Sequence, residues 1–432
     1  MNPRRVAFEV LAALESGPQR LEKILAQALS AHGQAAPRDR AFATSLVYAV
    51  LRHRLRLDHL LDQCTKGPLA RLDAPVLAVL RLGAAELVVQ GAPAFAAVHA
   101  AVELAKATPA RRGQNLVNAV LRALARQLAA PAPDAAAASP GDEAGRLSLT
   151  YSHPRWIVGE MLASWPISEV EPWLAANQQD PPFTIRTNTL KITREELARE
   201  LTARGLFVRE HPLAPEGLVL GGVSGPASGV FGFAQGLWQG QDAAAQAVSH
   251  LLDIAPGQRV ADLCAGAGGK TGHLAALMQN QGELVAVDPS AGRIRALEGN
   301  LARLGVTSCR ALRGDARELG PEVGLFDRIL VDAPCSGLGV AGRRPDLRWR
   351  RKPTDVAELA AKQTEILAAA CSLLAPGGRL VYATCTFTRQ ENQEVVARAL
   401  AGFPGLRLVQ NWHSFPHRDQ ADAFSAAVLA RN

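Results

Sequence analysis

Two cysteines set fifty residues apart, Cys335 in Asp332-Ala333-Pro334-Cys335-Ser336-Gly337 and Cys385 in Tyr382-Ala383-Thr384-Cys385-Thr386, each follow a short apolar, strand-like run. In an open parallel sheet, reactive groups gather at the carboxyl edge of the strands, so both thiols are expected to face one crevice. The chemistry this suggests is covalent. A free thiol is only about 3% thiolate at pH 7, so a nucleophilic one needs a helix dipole or a bound cationic cofactor to favour the charged form. The other four cysteines, Cys64, Cys264, Cys309 and Cys371, read as packing thiols. No cysteine spacing suits a metal and none of the ten histidines completes a metal motif, so no metal is expected.

A second motif precedes the cysteines. Asp262-Leu263-Cys264-Ala265-Gly266-Ala267-Gly268-Gly269-Lys270-Thr271 joins a strand to a helix through small residues, which let backbone pass close to a ligand at a helix amino terminus. GGKT looks like the end of a phosphate loop, but GxxxxGKT requires a glycine where Asp262 or Leu263 stands. Asp288, 26 residues after Asp262, is placed at the end of the next strand to accept from ribose hydroxyls, and Asp315 and Asp332 follow the third and fourth strands. One such aspartate is usually a helix cap. Four at one sheet edge suit a ribose, an exocyclic amine and a cationic centre, which points to S-adenosyl-L-methionine over a dinucleotide.

A chain of 432 residues with 48% apolar composition suggests two or three domains. No stretch approaches the ~18 uninterrupted apolar residues of a membrane span, and the N terminus leads into an amphipathic helix, so a soluble, cytoplasmic protein is expected. Residues 1–140 carry 17 Lys and Arg against 10 Asp and Glu, whereas residues 141–432 carry 30 against 30, so the whole excess of +7 sits in the first third. That asymmetry suggests a polyanion-binding module joined to a neutral one.

Apolar spacing predicts helices from Pro3 to Leu128, including 38–64, 74–89, 96–107 and 114–128, which makes residues 1–128 all-helical. The Ala- and Pro-rich stretch 129–145 reads as a linker. Residues 146–235 read as a small α+β connector, with Trp156, Trp165 and Trp173 in helical segments, a strand at 183–186, and turns and short strands from Gly217 to Gly240. Residues 236–432 alternate strands at 259–263, 284–287, 308–312, 328–331, 379–382 and 426–429 with helices, the rhythm of a doubly wound α/β sheet.

DLCAGAGGKT, DAPCSGLG and YATCT, in that order and spacing, resemble the motifs of the RNA cytosine-5 methyltransferases. The resemblance extends through PFTIRTNT at 182–189, QDAAAQ at 241–246 and DAFSAAVL at 422–429. RRVAFEVL, RDRAFATSLVYAVLR, AVELAK and LVNAVLRAL are similar to the NusB-type RNA-binding domain, and the fusion resembles the bacterial ribosomal RNA small-subunit methyltransferase B family.

The resemblance implies a Rossmann-like S-adenosyl-L-methionine-dependent methyltransferase domain after the NusB-like domain and the connector. It implies that Cys264, Ala265, Gly266, Ala267, Gly268, Gly269 and Lys270 line the cofactor, with Asp288 and Arg293 at the ribose, Asp315 at the adenine, and Asp332 between cofactor and base. Cys385 matches the nucleophile that adds to carbon 6 of cytosine, and Cys335 the cysteine that assists product release. The family loop usually reads CAAPGGKT, so Gly266-Ala267 is expected to loosen the turn and weaken cofactor binding. Around Trp349 lie Arg343, Arg344, Arg348, Arg350, Arg351 and Lys352; beside a nucleobase site, this run suggests backbone contacts and stacking on an unpaired RNA base, with Arg186 as a further contact.

The expected partner is therefore RNA, most simply small-subunit ribosomal RNA, bound by a monomer, with tRNA or large-subunit ribosomal RNA as a variant target. A DNA-type cytosine-5 methyltransferase would instead use Pro334-Cys335 as its nucleophile. An RNA-binding assembly or antitermination factor would have lost catalysis through the altered loop.

Overall fold

The computed structural model describes residues 1–17, 19–33, 36–130, 142–223 and 225–432. Two compact units emerge: residues 1–178 with 344–349, and residues 179–343 with 350–432. The helices Glu143–Thr150, Arg155–Ser164 and Ile167–Ala176 fall in the first unit, whereas the expected division groups them with residues 183–235. Residues 143–145 of the expected linker are the first turn of a helix, capped by Asp142 Oδ1 accepting from the Gly145 N–H at 2.9 Å. Residues 131–141 of that linker lie outside the described residues.

The first unit is all helix. Helices Pro3–Ser16, Leu21–Ala31, Pro37–Asp62, Ala74–Val88, Ala94–Lys106 and Gln114–Ala129 follow the expected spacing to within two residues wherever a range was drawn. Their apolar faces close one core that includes Leu21, Leu46, Leu57, Leu80, Val117 and Leu121. Each such leucine contributes about 1.5–3 kcal/mol by leaving water. A buried charge is paired there: Arg81 forks onto both carboxylate oxygens of Asp58 at 2.7 and 2.8 Å.

The second unit holds two sheets. Strands β1 (Phe183–Thr187), β2 (Phe207–Glu210), β3 (Gly217–Gly221) and β4 (Trp238–Gly240) form an antiparallel sheet in the order β2-β3-β1-β4. Ile185, Leu218, Leu220 and Trp238 pack there against Leu197 and Leu201 of helix Arg194–Ala203. A Thr193–Glu196 capping box starts that helix.

The larger sheet contains β5 (Arg259–Asp262), β6 (Glu283–Asp288), β7 (Cys309–Arg313), β8 (Phe326–Asp332), β9 (Leu374–Thr384), β10 (Leu406–His413) and β11 (Ser425–Arg431), in the order β10-β11-β9-β8-β5-β6-β7. Six strands point the same way, and β11 lies antiparallel between β9 and β10. Strand β10 was not anticipated, because as an edge strand it buries little and lacks a clean apolar alternation. The order reverses between β5 and β8, which makes their carboxyl ends the switch-point crevice.

Candidate active site at the switch point

Register explains why the distant motifs meet. Asp332 pairs with Ala383 across β8 and β9, so Cys335, three residues past Asp332, and Cys385, two past Ala383, converge. Their sulfurs lie 3.2 Å apart. The Cys385 sulfur, burial and the charges of Glu391 and Asp332 together push the Cys335 thiol well above its ordinary range. Beside them Lys270 Nζ donates to Asp332 Oδ2 at 2.7 Å and lies 5.1 Å from the Phe424 ring centroid. Burial alone would depress the lysine; Asp332, then Cys385 and Asp262, outweigh it and raise it.

The glycine-rich loop is a strand-to-helix turn with two left-handed positions, Gly266 at φ +57° and Gly268 at φ +85°, the latter preceding helix Gly269–Leu277. Its backbone is pinned on both sides. The Gly266 N–H donates to Asp288 Oδ2 at 3.2 Å, the Ala265 N–H to the Val287 carbonyl at 3.0 Å, and Asn300 Nδ2 to the Ala267 carbonyl at 2.8 Å. Asp262 is 1% exposed; Thr271 donates to its Oδ2 at 2.7 Å, and among the described residues Oδ1 has no hydrogen-bond partner. Burial, reinforced by Asp332, pushes Asp262 up to about 6. The Cys264 thiol is pushed up by burial and by the charges of Asp262, Asp332 and Asp288, which suits a packing role.

These residues fit a cationic nucleoside cofactor. A Cβ added at Gly266 or Gly269 would meet nothing within 4 Å, so the loop faces open space, and the unpartnered Asp262 carboxylate oxygen suits a positive group. Asp288 is already held by the Ser290 N–H at 2.9 Å and by Arg293 at 3.2 Å. The Arg293 side chain is half exposed, making that contact the replaceable one. Asp315 is bound by Arg317 at 2.7 Å and drawn down to about 2 by that contact.

The expected RNA contacts are corrected by the structure. Arg348 is fully buried and donates to the carbonyls of Asn177, Arg52 and Ser152, and Trp349 Nε1 donates to the Leu51 carbonyl while the ring packs against the helical core. Arg344 pairs with Glu22 at 2.9 Å. Arg343 is clamped by Asp242 and Asp422, each at 3.0 Å, and Arg350 is half buried and engaged. Arg186 is 1% exposed and donates to Gln241 and, at 2.7 Å, to the Gly269 carbonyl, which places it behind the glycine loop. Burial satisfied by carbonyl groups removes Arg348 and Arg186 from a solvent-facing RNA surface, whereas Arg343, Arg344 and Arg350 are partly exposed and engaged.

Three residues gather that the sequence reading did not single out. Glu216, His250 and His273 bring ligand-type atoms within 4.8 Å of one another. His250 bonds Glu216 at 2.9 Å, and the Glu216 charge faces Arg186, so the cluster supplies that arginine with a counter-charge. Glu391 was also missed; the available signal was an acid in a threonine-rich loop six residues after Cys385.

A parallel sheet with an antiparallel β11, a glycine loop after β5 and acids at the ends of β5, β6 and β8 define a Rossmann-like methyltransferase. Residues 249–430 match the family described as 16S rRNA methyltransferase RsmB/F, residues 1–126 the NusB family, and residues 153–224 the ferredoxin-like domain of RsmF/B-like methyltransferases. A probable ribosomal RNA small subunit methyltransferase B from Synechocystis is 36% identical, covering 96% of this chain and 91% of its own. The ribosomal RNA small subunit methyltransferase B of Pseudomonas syringae is 36% identical over 94% and 88%. The crystal structure of PH0851 superposes with a TM-score of 0.81 at 25% identity over 99% of each chain. This chain belongs to the ribosomal RNA small-subunit methyltransferase B family.

Proposed function

We propose that this protein methylates carbon 5 of a cytosine in RNA, with small-subunit ribosomal RNA as the substrate, through a covalent bond between Cys385 Sγ and carbon 6. The observation that carries this reading is the 3.2 Å pair of thiols beside the Lys270–Asp332 ion pair at the switch point. S-adenosyl-L-methionine, when bound by residues 264–270 with Asp288, Arg293 and Asp315, supplies the methyl group.

The work of the chain is to make carbon 5 a nucleophile. Addition of the Cys385 thiolate to carbon 6 pushes electron density onto carbon 5. Before addition, the raised Cys335 stays a thiol and can donate to the Cys385 sulfur. Once Cys385 is bonded to carbon 6, the largest cause of that rise is gone. Cys335 can then lose its proton to solvent and accept the proton from carbon 5, after which Cys385 leaves as thiolate and the ring is restored. Asp332, its side chain partly exposed and braced by Lys270, is suited to steer the N3 and N4 edge of the base.

The test is methyl transfer from labelled S-adenosyl-L-methionine to deproteinised small-subunit RNA by wild type, Cys385→Ala and Cys335→Ala, with denaturing gels for adducts. The expected outcome is activity in wild type, none in Cys385→Ala, and a trapped adduct in Cys335→Ala. An adduct lost only in Cys335→Ala would reverse the two roles, and RNA binding without transfer by wild type would favour a binding factor.

A further inference from the structure

The Cys335 and Cys385 loops share a single buried carboxylate. Glu391 is 0% exposed, and among the described residues no cation pairs with it. Its Oε1 accepts from the Ser336 N–H at 2.7 Å and from Gln363 Nε2 at 3.0 Å; its Oε2 accepts from Ser336 Oγ at 2.6 Å and Thr388 Oγ1 at 2.9 Å. Ser336 and Thr386, the residues immediately after the two cysteines, bond each other through their hydroxyls at 2.8 Å. The Glu391 carbonyl accepts from Tyr382 Oη at 2.6 Å, tying the same residue back to β9. Gln363, from helix Pro353–Ser372, also donates to the Pro334 carbonyl at 2.9 Å.

A buried carboxylate without a cation is costly, and an apolar group could fill the space without that cost. The four converging donors offset part of it, and the two that can only donate, the Ser336 N–H and Gln363 Nε2, both require an acceptor at Oε1. No donor in this set comes from a distant element without chemical consequence: two belong to the residue following Cys335, one to the loop following Cys385, and one to a glutamine that also holds the peptide before Cys335.

We propose that Glu391 is a positioning residue for the two-thiol reaction: its carboxylate locks the Cys335 and Cys385 loops together at the sulfur separation the reaction uses. This rests on the cytosine-5 reading of the site. The side chain touches neither sulfur through a hydrogen bond, so it acts through Ser336, Gln363 and Thr388. Its charge is nonetheless among the causes that raise Cys335. Glu391→Gln preserves shape while removing the charge, and its amide N–H is accommodated beside Ser336 Oγ and Thr388 Oγ1 only if those hydroxyls turn from donating to accepting.

The experiment compares wild type with Glu391→Gln in three measurements: steady-state methylation, adduct formation on RNA containing 5-fluorocytosine, and peptide-resolved alkylation of Cys335 and Cys385 by iodoacetamide across pH. A misplaced reacting group costs about 100-fold, so kcat and the adduct rate are each expected to fall about 100-fold while KM for RNA and cofactor stays within about twofold. Loss of the nearby charge is expected to lower the pH midpoint of Cys335 alkylation.

Unchanged kcat and an unchanged Cys335 profile overturn the proposal, as does a kcat loss that tracks only a lower melting temperature with the alkylation profile intact. If the glutamine variant does not fold, Thr388→Val, which deletes one donor, is expected to lower kcat several-fold without moving KM; no effect there also overturns it. Failure of the underlying reading is distinct, because wild type itself would then form no adduct on the fluorinated RNA.

Discussion

At the scale of single residues, the site is organised by where charge is left uncompensated. Lys270 and Asp332 answer each other, whereas Asp262 is sealed behind the glycine loop with one oxygen unpartnered. Its folded value of about 6 exceeds the ordinary aspartate value, so the fold binds its proton more tightly than the unfolded chain does. The carboxylate therefore costs stability that is fully felt above pH 6 and vanishes below about pH 4, where both states are protonated. Asp262→Asn keeps an oxygen for Thr271 and removes the buried charge. The asparagine protein is expected to melt roughly 5 °C higher at pH 7.5, with the difference closing toward pH 4. A difference independent of pH, in paired thermal melts, would show that the charge is not its source. A cationic cofactor near this carboxylate should likewise bind more weakly below pH 6, where the proton competes with it, as calorimetry at pH 5.5 and 7.5 would detect.

At the scale of elements, the register of β8 against β9 brings the two cysteine loops together, and Gly339 allows them to close. Its N–H donates to the Cys385 carbonyl at 3.0 Å and its own carbonyl accepts from the Ala423 N–H at 3.1 Å. A Cβ there would stand 2.1 Å from the Ala423 carbonyl oxygen and 2.9 Å from that of Cys385, both backbone atoms that cannot step aside. Gly339→Ala is thus expected to destabilise the second unit by about 2–4 kcal/mol and to slow adduct formation, read by urea melts and gels. The altered loop behaves differently: Gly266 sits at φ +57° with open space at its Cβ position, so Gly266→Ala should cost only about 1–2 kcal/mol. The expected looseness of that turn is offset by Asn300 and Asp288, which hold it from two sides. Strands and helices with apolar faces were legible in the sequence because their periodicity reports burial directly. The two motif cysteines and the strand-end aspartates were legible because small residues frame them. Glu391 was not, since its partners come from residues 336, 363 and 388, and no local pattern announces a carboxylate that bonds across such separations. Nor was the fate of Arg348 and Trp349, because a basic aromatic run reads the same in solvent as in a core; only the carbonyls of Leu51, Arg52, Ser152 and Asn177 distinguish the two.

At the scale of the whole molecule, the distribution of charge separates structural arginines from those available to a polyanion. The excess of +7 lies within residues 1–140. Inside that unit Arg4 and Arg81 are bound to Glu86 and Asp58, while Arg111, Arg112, Arg122 and Arg126 are exposed on the segment 109–113 and helix Gln114–Ala129. If the exposed group meets RNA phosphates, each lost contact should reduce the slope of log affinity against log salt by about one and weaken binding evenly across sequences. Replacing all four with alanine is therefore expected to lower RNA affinity at 50 mM salt by more than tenfold while leaving the melting temperature near wild type. Trp349→Ala should do the reverse. It removes a ring packed on the helical core and a hydrogen bond to Leu51, so it is expected to cost about 3 kcal/mol of stability and leave the salt slope of RNA binding unchanged. Binding titrations at several salt concentrations, run beside thermal melts on the full-length chain, separate the two outcomes. A reduced salt slope in a Trp349→Ala protein that is still folded at the assay temperature would return that tryptophan and its arginines to the RNA surface.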